Sequence, residues 1–230
     1  MDTVSLDLFA IPVNTINLGE ESRTMNSRIM EAINIEKTTD NRQHRTGVDV
    51  WQSAANLEKR YDIFKELQTT FFECFRPYLR KVGYVNCNLE DHFVCESFWA
   101  NYNNSPHAFH MPHGHGTGES LFSGVYYPTS GYINGQSISL NQNLNDDVIM
   151  SASSQPPPGS LVLLDPAAAI KTQVYKSEIL NRYPYYGMEI CITPREGTMV
   201  LFPQYLQHLV TPTGKENFER YSIAFDINKK

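Results

Sequence analysis

The chain has 230 residues, 41% hydrophobic and 12% aromatic, enough apolar side chain to bury a substantial core and too much for a disordered segment. Its 19 basic and 25 acidic residues give a formal net charge of −6, without the basic surplus of a protein that tracks nucleic-acid phosphates. No apolar run approaches the ~20 residues that cross a bilayer, and the opening MDTVSLDLFAIPVNT lacks the basic and apolar regions of a secretory signal.

Taken in chain order, LFAIPVNTINL roughly alternates apolar and polar residues and reads as a strand. A helix is expected over Ser22 to Ile35, where Met25, Ile29 and Ile33 lie four apart. Residues 38–50 are mostly polar and read as loop. From Ser53 to Val82 the residues Leu57, Tyr61, Phe64, Leu67, Phe71, Phe75 and Leu79 recur every three or four positions. That predicts one long amphipathic helix, broken near Pro77 where the backbone amide is missing.

After Gly83 the chain turns to short β-rich runs: FVCESFWANYN, SLFSGVYYP, SISL, GSLVLLDP, GTMVLFP and ERYSIAFDI. Gly- and Pro-containing turns separate them. No repeat of 20 to 50 residues is present, which excludes solenoids and propellers. The expected class is α+β: helical support over residues 1–83 packs on one face of a β-sandwich or open barrel over residues 84–230. No linker divides the chain, so a single domain over 1–230 is expected. Cys74, Cys87, Cys95 and Cys191 form no Cys-x-x-Cys pair, which fits reduced thiols in the cytoplasm.

The chemistry concentrates in PHAFHMPHGHGTGESLFSGVYYP, where His107, His110, His113 and His115 fall within nine residues. On an extended chain, His113 and His115 point to the same side and can reach one metal. Imidazole suits Fe, Zn, Cu or Ni, and Gly114 and Gly116 leave room for exchangeable ligands. A solvated histidine-rich loop is the competing reading of this segment alone. His208, in GTMVLFPQYLQHLVTP, is the natural third ligand, against the alternative of a core histidine bonded to a carbonyl.

Twelve residues on, Arg220, Ser222, Ala224 and Asp226 share one face of ERYSIAFDI, while Tyr221, Ile223, Phe225 and Ile227 share the other. A guanidinium beside a hydroxyl can bind a carboxylate in bidentate fashion. The TPTGKEN turn is expected to make the His208 and Arg220 segments hairpin neighbours. A surface salt bridge from Arg220 to Glu219 or Asp226 is the alternative.

In this order, H-x-H, SGVYYP, GSLVLLDP, GTMVLFPQYLQHLVTP and ERYSIAFDI resemble the Fe(II)- and 2-oxoglutarate-dependent oxygenase superfamily. More narrowly, they resemble a branch found in bacteria and in marine cyanobacterial phages; a phage-encoded member would work in the host cytoplasm. The resemblance covers roughly Cys95 to Asn228, with a weaker echo in LFAIPV. It implies a double-stranded β-helix (jelly-roll) holding iron at its mouth through His113, His115 and His208. Arg220, and Ser222 with it, would bind the distal carboxylate of 2-oxoglutarate, and Tyr127, on the same face as Ser123 and Val125, aligns with a strand position that lines the cosubstrate pocket in that superfamily. The implied reaction is hydroxylation by O2, coupled to decarboxylation of 2-oxoglutarate to succinate.

The sequence departs from the superfamily at His115, where H-x-D or H-x-E is usual. Two further ligand sets therefore stay open: His110 with His113, or a carboxylate from Glu119 or Asp165. A non-catalytic jelly-roll and a three-histidine dioxygenase that does not use 2-oxoglutarate are the competing functions. A zinc hydrolase lacks its H-E-x-x-H helix. Trp99, Tyr102 and Phe122 are candidate wall residues, and the segment from Asn141 to Pro158 is a candidate lid. The substrate is open, with a prolyl or other amino-acid residue as one guess; no nucleic acid or membrane partner is expected, and a homodimer is an open alternative to a monomer.

Overall fold

Residues of alternating polarity build two antiparallel sheets, in a computed structural model that describes residues 10–39, 46–84, 88–115, 120–138, 148–149, 159–168 and 189–230. In the larger sheet the order is β1 (Asn14–Asn17), β12 (Thr198–Pro203), β6 (Ser120–Tyr127), β14 (Phe218–Lys229), β4 (Phe93–Asn103) and β3 (Val50–Gln52). A ribbon of β7 (Tyr132–Ile133) and β8 (Gln136–Ser137) joins β14. The smaller sheet runs β2 (Gly47–Val48), β5 (Phe109–His113), β13 (His208–Val210), β10 (Leu161–Leu164), β11 (Glu189–Ile192) and β9 (Val148–Ile149). Together the sheets make a jelly-roll sandwich of the double-stranded β-helix type. Helices α1 (Arg23–Thr38), α2 (Asp62–Lys81) and the single turn α3 (Leu89–His92), with 3-10 turns at Glu20–Ser22 and Leu57–Lys59, complete the described elements.

The two faces of β14 explain the layering. Ile223, Phe225 and Ile227 are fully buried in one core with Ile29 and Ile33 of α1 and Phe64, Leu67, Phe71 and Phe75 of α2. Each such side chain contributes ~1.5–3 kcal/mol by leaving water. Phe225 stacks on Phe98, with ring centroids 5.3 Å apart, and meets Phe71 at 4.6 Å. The opposite face of the same strand carries Arg220, Ser222, Ala224 and Asp226 toward a cavity shared with the smaller sheet. The period-2 pattern read from ERYSIAFDI is thus realised, with the helices on one side and the polar row on the other.

A bulge breaks the ladder between β14 and β4. Ala224 pairs with Trp99 and Asp226 with Glu96, so β4 carries one extra residue there. Ser97 adopts φ 59°, and the carboxylate of the buried Glu58 accepts hydrogen bonds from the Ser97 and Phe98 amides at 3.3 and 3.1 Å. Amides freed by the bulge are thereby satisfied, which buried backbone donors require.

Several expectations need correction. The long helix predicted from Ser53 begins at Asp62, because Asn56 is left-handed and Tyr61 extended, with only a 3-10 turn (Leu57–Lys59) before it. Pro77 does not break it; the helix runs on to Lys81 because Phe75, Tyr78 and Leu79 are buried against the sheet. The stretch 38–50, read as loop, contains β2 and the first residue of β3, so it contributes an edge strand to each sheet, and these pair with β5 and β4. His208 and Arg220 are not hairpin neighbours: β13 pairs with β5 and β10, whereas β14 pairs with β4, β6 and β7. Residues 211–217 therefore cross from one sheet to the other. The proposed lid, Asn141 to Pro158, lies outside the described residues apart from the backbone of β9. No helix among the described residues is long and apolar enough to cross a membrane.

Candidate metal centre

His113 closes β5 and His208 opens β13, and the two are directly paired in the ladder. Their ring centroids lie 4.3 Å apart. His115 follows two residues past the end of β5, where its amide donates to the Gln204 carbonyl at 3.1 Å. Its ring comes within 5.2 Å of His208 and 5.6 Å of His113. One ring nitrogen from each of these histidines lies within 4.8 Å of the other two, the metal-ligating cluster found among the described residues.

The other ring nitrogens are occupied. His113 Nδ1 donates to the Met111 carbonyl at 2.7 Å and His208 Nδ1 to the Leu206 carbonyl at 3.0 Å. His115 Nδ1 is 2.8 Å from Asp226 Oδ1 and 2.8 Å from Ser123 Oγ. A proton on each Nδ1 leaves the Nε2 lone pair free, the arrangement that orients histidines around a metal. Burial, followed by the nearby His113 imidazole, holds the His208 pKa down at about 3. Burial likewise lowers that of His113. Both rings are neutral near pH 7, the form that coordinates metal.

Arg220 faces these imidazoles from the larger sheet. It is 1% exposed; Nη1 donates to Ser222 Oγ at 3.1 Å and Nη2 to the Tyr127 hydroxyl at 3.5 Å. Its Nε has no partner, and no carboxylate among the described residues pairs with it. The Asn101 amide reaches Ser222 Oγ at 3.5 Å and accepts from Gln52 at 2.9 Å, which extends the polar row. A buried, unpaired cation is costly and calls for an anion. The imidazoles, Arg220, Ser222 and Tyr127 line one cavity of about 320 Å³.

Of the other candidates, Trp99 lines the cavity with its ring 5.6 Å from His115. Tyr102 and Phe122 do not: both point to the helix side of the sheet, where Phe122 meets Phe75 and Tyr102 meets Tyr221. His110 is buried in the cavity wall beside Thr46 but lies outside the cluster, and its Nε2 has no partner. Asp165 is also outside the cluster, and its Oδ1 accepts from the Ala167 amide at 2.8 Å. Glu119 is outside the described residues, and His107 is exposed. The salt bridge from Arg220 to Glu219 or Asp226 is absent, because Arg220 points inward and Asp226 is taken by His115. Sequence reasoning missed Ser123 and Asp226 as partners of His115; both were legible as inward-facing positions, but only the strand register brings them together.

A family model described as "Putative 2OG-Fe(II) oxygenase" matches residues 97–226, more than half of the chain and all of the clustered residues above. The chain belongs to this family. Membership in this oxygenase family implies Fe(II) and 2-oxoglutarate, and the site suits both: three imidazole nitrogens converge for the metal, and a guanidinium with an orphaned Nε awaits an acid. Among solved structures, a prolyl-4-hydroxylase of Pseudomonas putida is similar over 97% of this chain and 96% of its own, with 14% identity and a TM-score of 0.58. A prolyl hydroxylase of Trichoplax adhaerens, solved with a peptide fragment of the hypoxia-inducible factor oxygen degradation domain, shows 14% identity over 94% and 83% of the two chains, with a TM-score of 0.52. HygX of Streptomyces hygroscopicus, solved with nickel and 2-oxoglutarate, shows 10% identity over 95% and 83%, with a TM-score of 0.53. At these identities the likeness is one of fold. No curated protein matches the sequence, and nothing in the comparisons supports the phage-associated branch.

Proposed function

We propose that the protein is an Fe(II)- and 2-oxoglutarate-dependent dioxygenase that hydroxylates a substrate, with His113, His115 and His208 as the iron ligands. One observation carries the proposal: a ring nitrogen from each of three imidazoles meets the others in a cavity whose other wall presents a buried guanidinium with no ionic partner among the described residues. Iron with 2-oxoglutarate would supply an oxidant for a C–H bond while the cosubstrate loses carbon dioxide and becomes succinate. Arg220 would grip the distal carboxylate, with Ser222 and Tyr127 fixing the guanidinium plane. The buried walls, Trp99, Leu161 and Phe202 among them, would keep water from the reacting groups.

Arg220 favours this reading over a three-histidine dioxygenase that works without 2-oxoglutarate, and over a non-catalytic jelly-roll. A prolyl or other amino-acid residue is the proposed substrate class, supported by the fold shared with two prolyl hydroxylases. Residues 1–230 would act as one unit, since the helices and the larger sheet share a core. The test is succinate formation from 2-oxoglutarate by protein purified without a histidine tag. Turnover should require added Fe(II) and O2 and vanish in His208→Ala; turnover unaffected by metal removal, or none with iron bound, would refute the proposal.

A further inference from the structure

The ligand that departs from H-x-D, His115, is also the one whose outer partner differs from the rest. His113 and His208 lean on neutral carbonyls, whereas His115 leans on a carboxylate. Resting on the ligand set proposed above, we infer that Asp226 is a positioning residue for the metal, returning through His115 the negative charge that a carboxylate ligand would have supplied directly.

The hydrogen-bond arithmetic fixes the arrangement. Ser123 Oγ lies 2.9 Å from Asp226 Oδ1 and 2.8 Å from His115 Nδ1. Its one proton goes to the carboxylate, which as an ionised group only accepts. The Nδ1 of His115 must then carry its own proton and donate it to Asp226 Oδ1 at 2.8 Å. That leaves Nε2 unprotonated and aimed into the cluster. Both Asp226 and Ser123 belong to the larger sheet, where they are paired in the ladder. The carboxylate is therefore set by backbone register, and its place beside the β4 bulge, between the Trp99 and Glu96 pairs, is part of that register. No Lys or Arg among the described residues forms an ion pair with Asp226; the ion pair found there is the one with His115.

The charge balance gives the reason for the arrangement. A divalent ion with two imidazoles and a carboxylate keeps one positive charge, whereas three neutral imidazoles leave two. A carboxylate hydrogen-bonded to the far side of one imidazole makes that ring a more basic donor and offsets the second charge without occupying a coordination position. The distal end of a bound diacid is matched separately by Arg220, so Asp226 does not compete with it.

The experiment titrates Co(II) into the metal-free protein without oxygen, reading the dissociation constant and the visible d–d spectrum for wild type, Asp226→Asn, Asp226→Glu, Ser123→Ala and His115→Ala. Asp226→Asn keeps shape and an acceptor but loses the charge; its dissociation constant should rise about 10- to 100-fold with a shifted spectrum. Asp226→Glu, which keeps the charge, should recover part of the affinity, and Ser123→Ala should bind more tightly than Asp226→Asn. Wild-type affinity and spectrum in Asp226→Asn would overturn the inference, as would equal losses in the Asn and Glu variants. A wild-type protein that takes up no Co(II), or a His115→Ala variant that binds as wild type does, would instead overturn the ligand set itself.

Discussion

His113 and His208 stand directly opposite one another in an antiparallel ladder, ring centroids 4.3 Å apart. Their spacing is thus set by backbone hydrogen bonds of the smaller sheet, while His115 is tied to the larger sheet through Asp226. A metal held by all three would bridge the two sheets. His208→Ala and His113→Ala should each lose bound iron, measured by elemental analysis, while circular dichroism shows an unchanged fold. Full iron occupancy in His208→Ala would contradict this.

Arg220 makes a sharper prediction because it has two opposite consequences. Removing a buried charge that lacks an ionic partner relieves its desolvation, so Arg220→Met should melt no lower than wild type without ligand, by differential scanning fluorimetry. The same variant should lose the stabilisation that 2-oxoglutarate gives to wild type. A charge-assisted hydrogen bond is worth ~1.5–3 kcal/mol, so its affinity for 2-oxoglutarate should fall about 10- to 100-fold with iron occupancy intact. Equal loss of iron and of 2-oxoglutarate binding would point to misfolding and against the assigned role.

Much of this site could be read from residue order, since alternation along ERYSIAFDI puts Arg220 and Ser222 on one face and H-x-H puts two imidazoles on one side. What the sequence withheld is register. Nothing in it tells that β13 and β14 lie in different sheets, so the turn between His208 and Arg220 looks like a hairpin although it is a crossing. Tyr102 and Phe122 illustrate the same limit: each is a large aromatic in a strand near the site, and only the strand's facing sends it to the helices. Pro77 shows tertiary burial overriding a local helix breaker. Glu58 is a charged residue on a predicted helix whose service to the β4 bulge no local pattern announces.

The buried imidazoles make stability depend on pH. His110 is lowered from the usual 6.5 to about 3, first by burial and then by Arg220. The unfolded ring takes up a proton near pH 6.5 that the folded ring refuses, so the unfolded state binds more protons between these values. Stability of the metal-free protein should therefore be fully present above the unfolded pKa and decline as pH falls through the window toward 3. Urea midpoints at pH 7 and pH 5 should converge in His110→Gln relative to wild type; identical slopes in both proteins would contradict it.

Gly124 is required by packing alone. It pairs with Phe225 in the ladder, and a Cβ there would fall 2.2 Å from that ring. Phe225 cannot yield, being held between Phe71 and Phe98. Gly124→Ala should cost ~1–3 kcal/mol by urea denaturation, and the folded fraction should still bind metal. A neutral substitution would mean that the ring has room to move.

The assembly of imidazoles and guanidinium around one metal and one diacid is tested most directly by anaerobic titration of the Fe(II)-loaded, tag-free protein with 2-oxoglutarate, followed by visible absorption. Saturable growth of a charge-transfer band is expected in wild type, shifted to higher 2-oxoglutarate in Arg220→Met and missing in His208→Ala. A featureless spectrum from wild-type protein that contains iron would contradict the account.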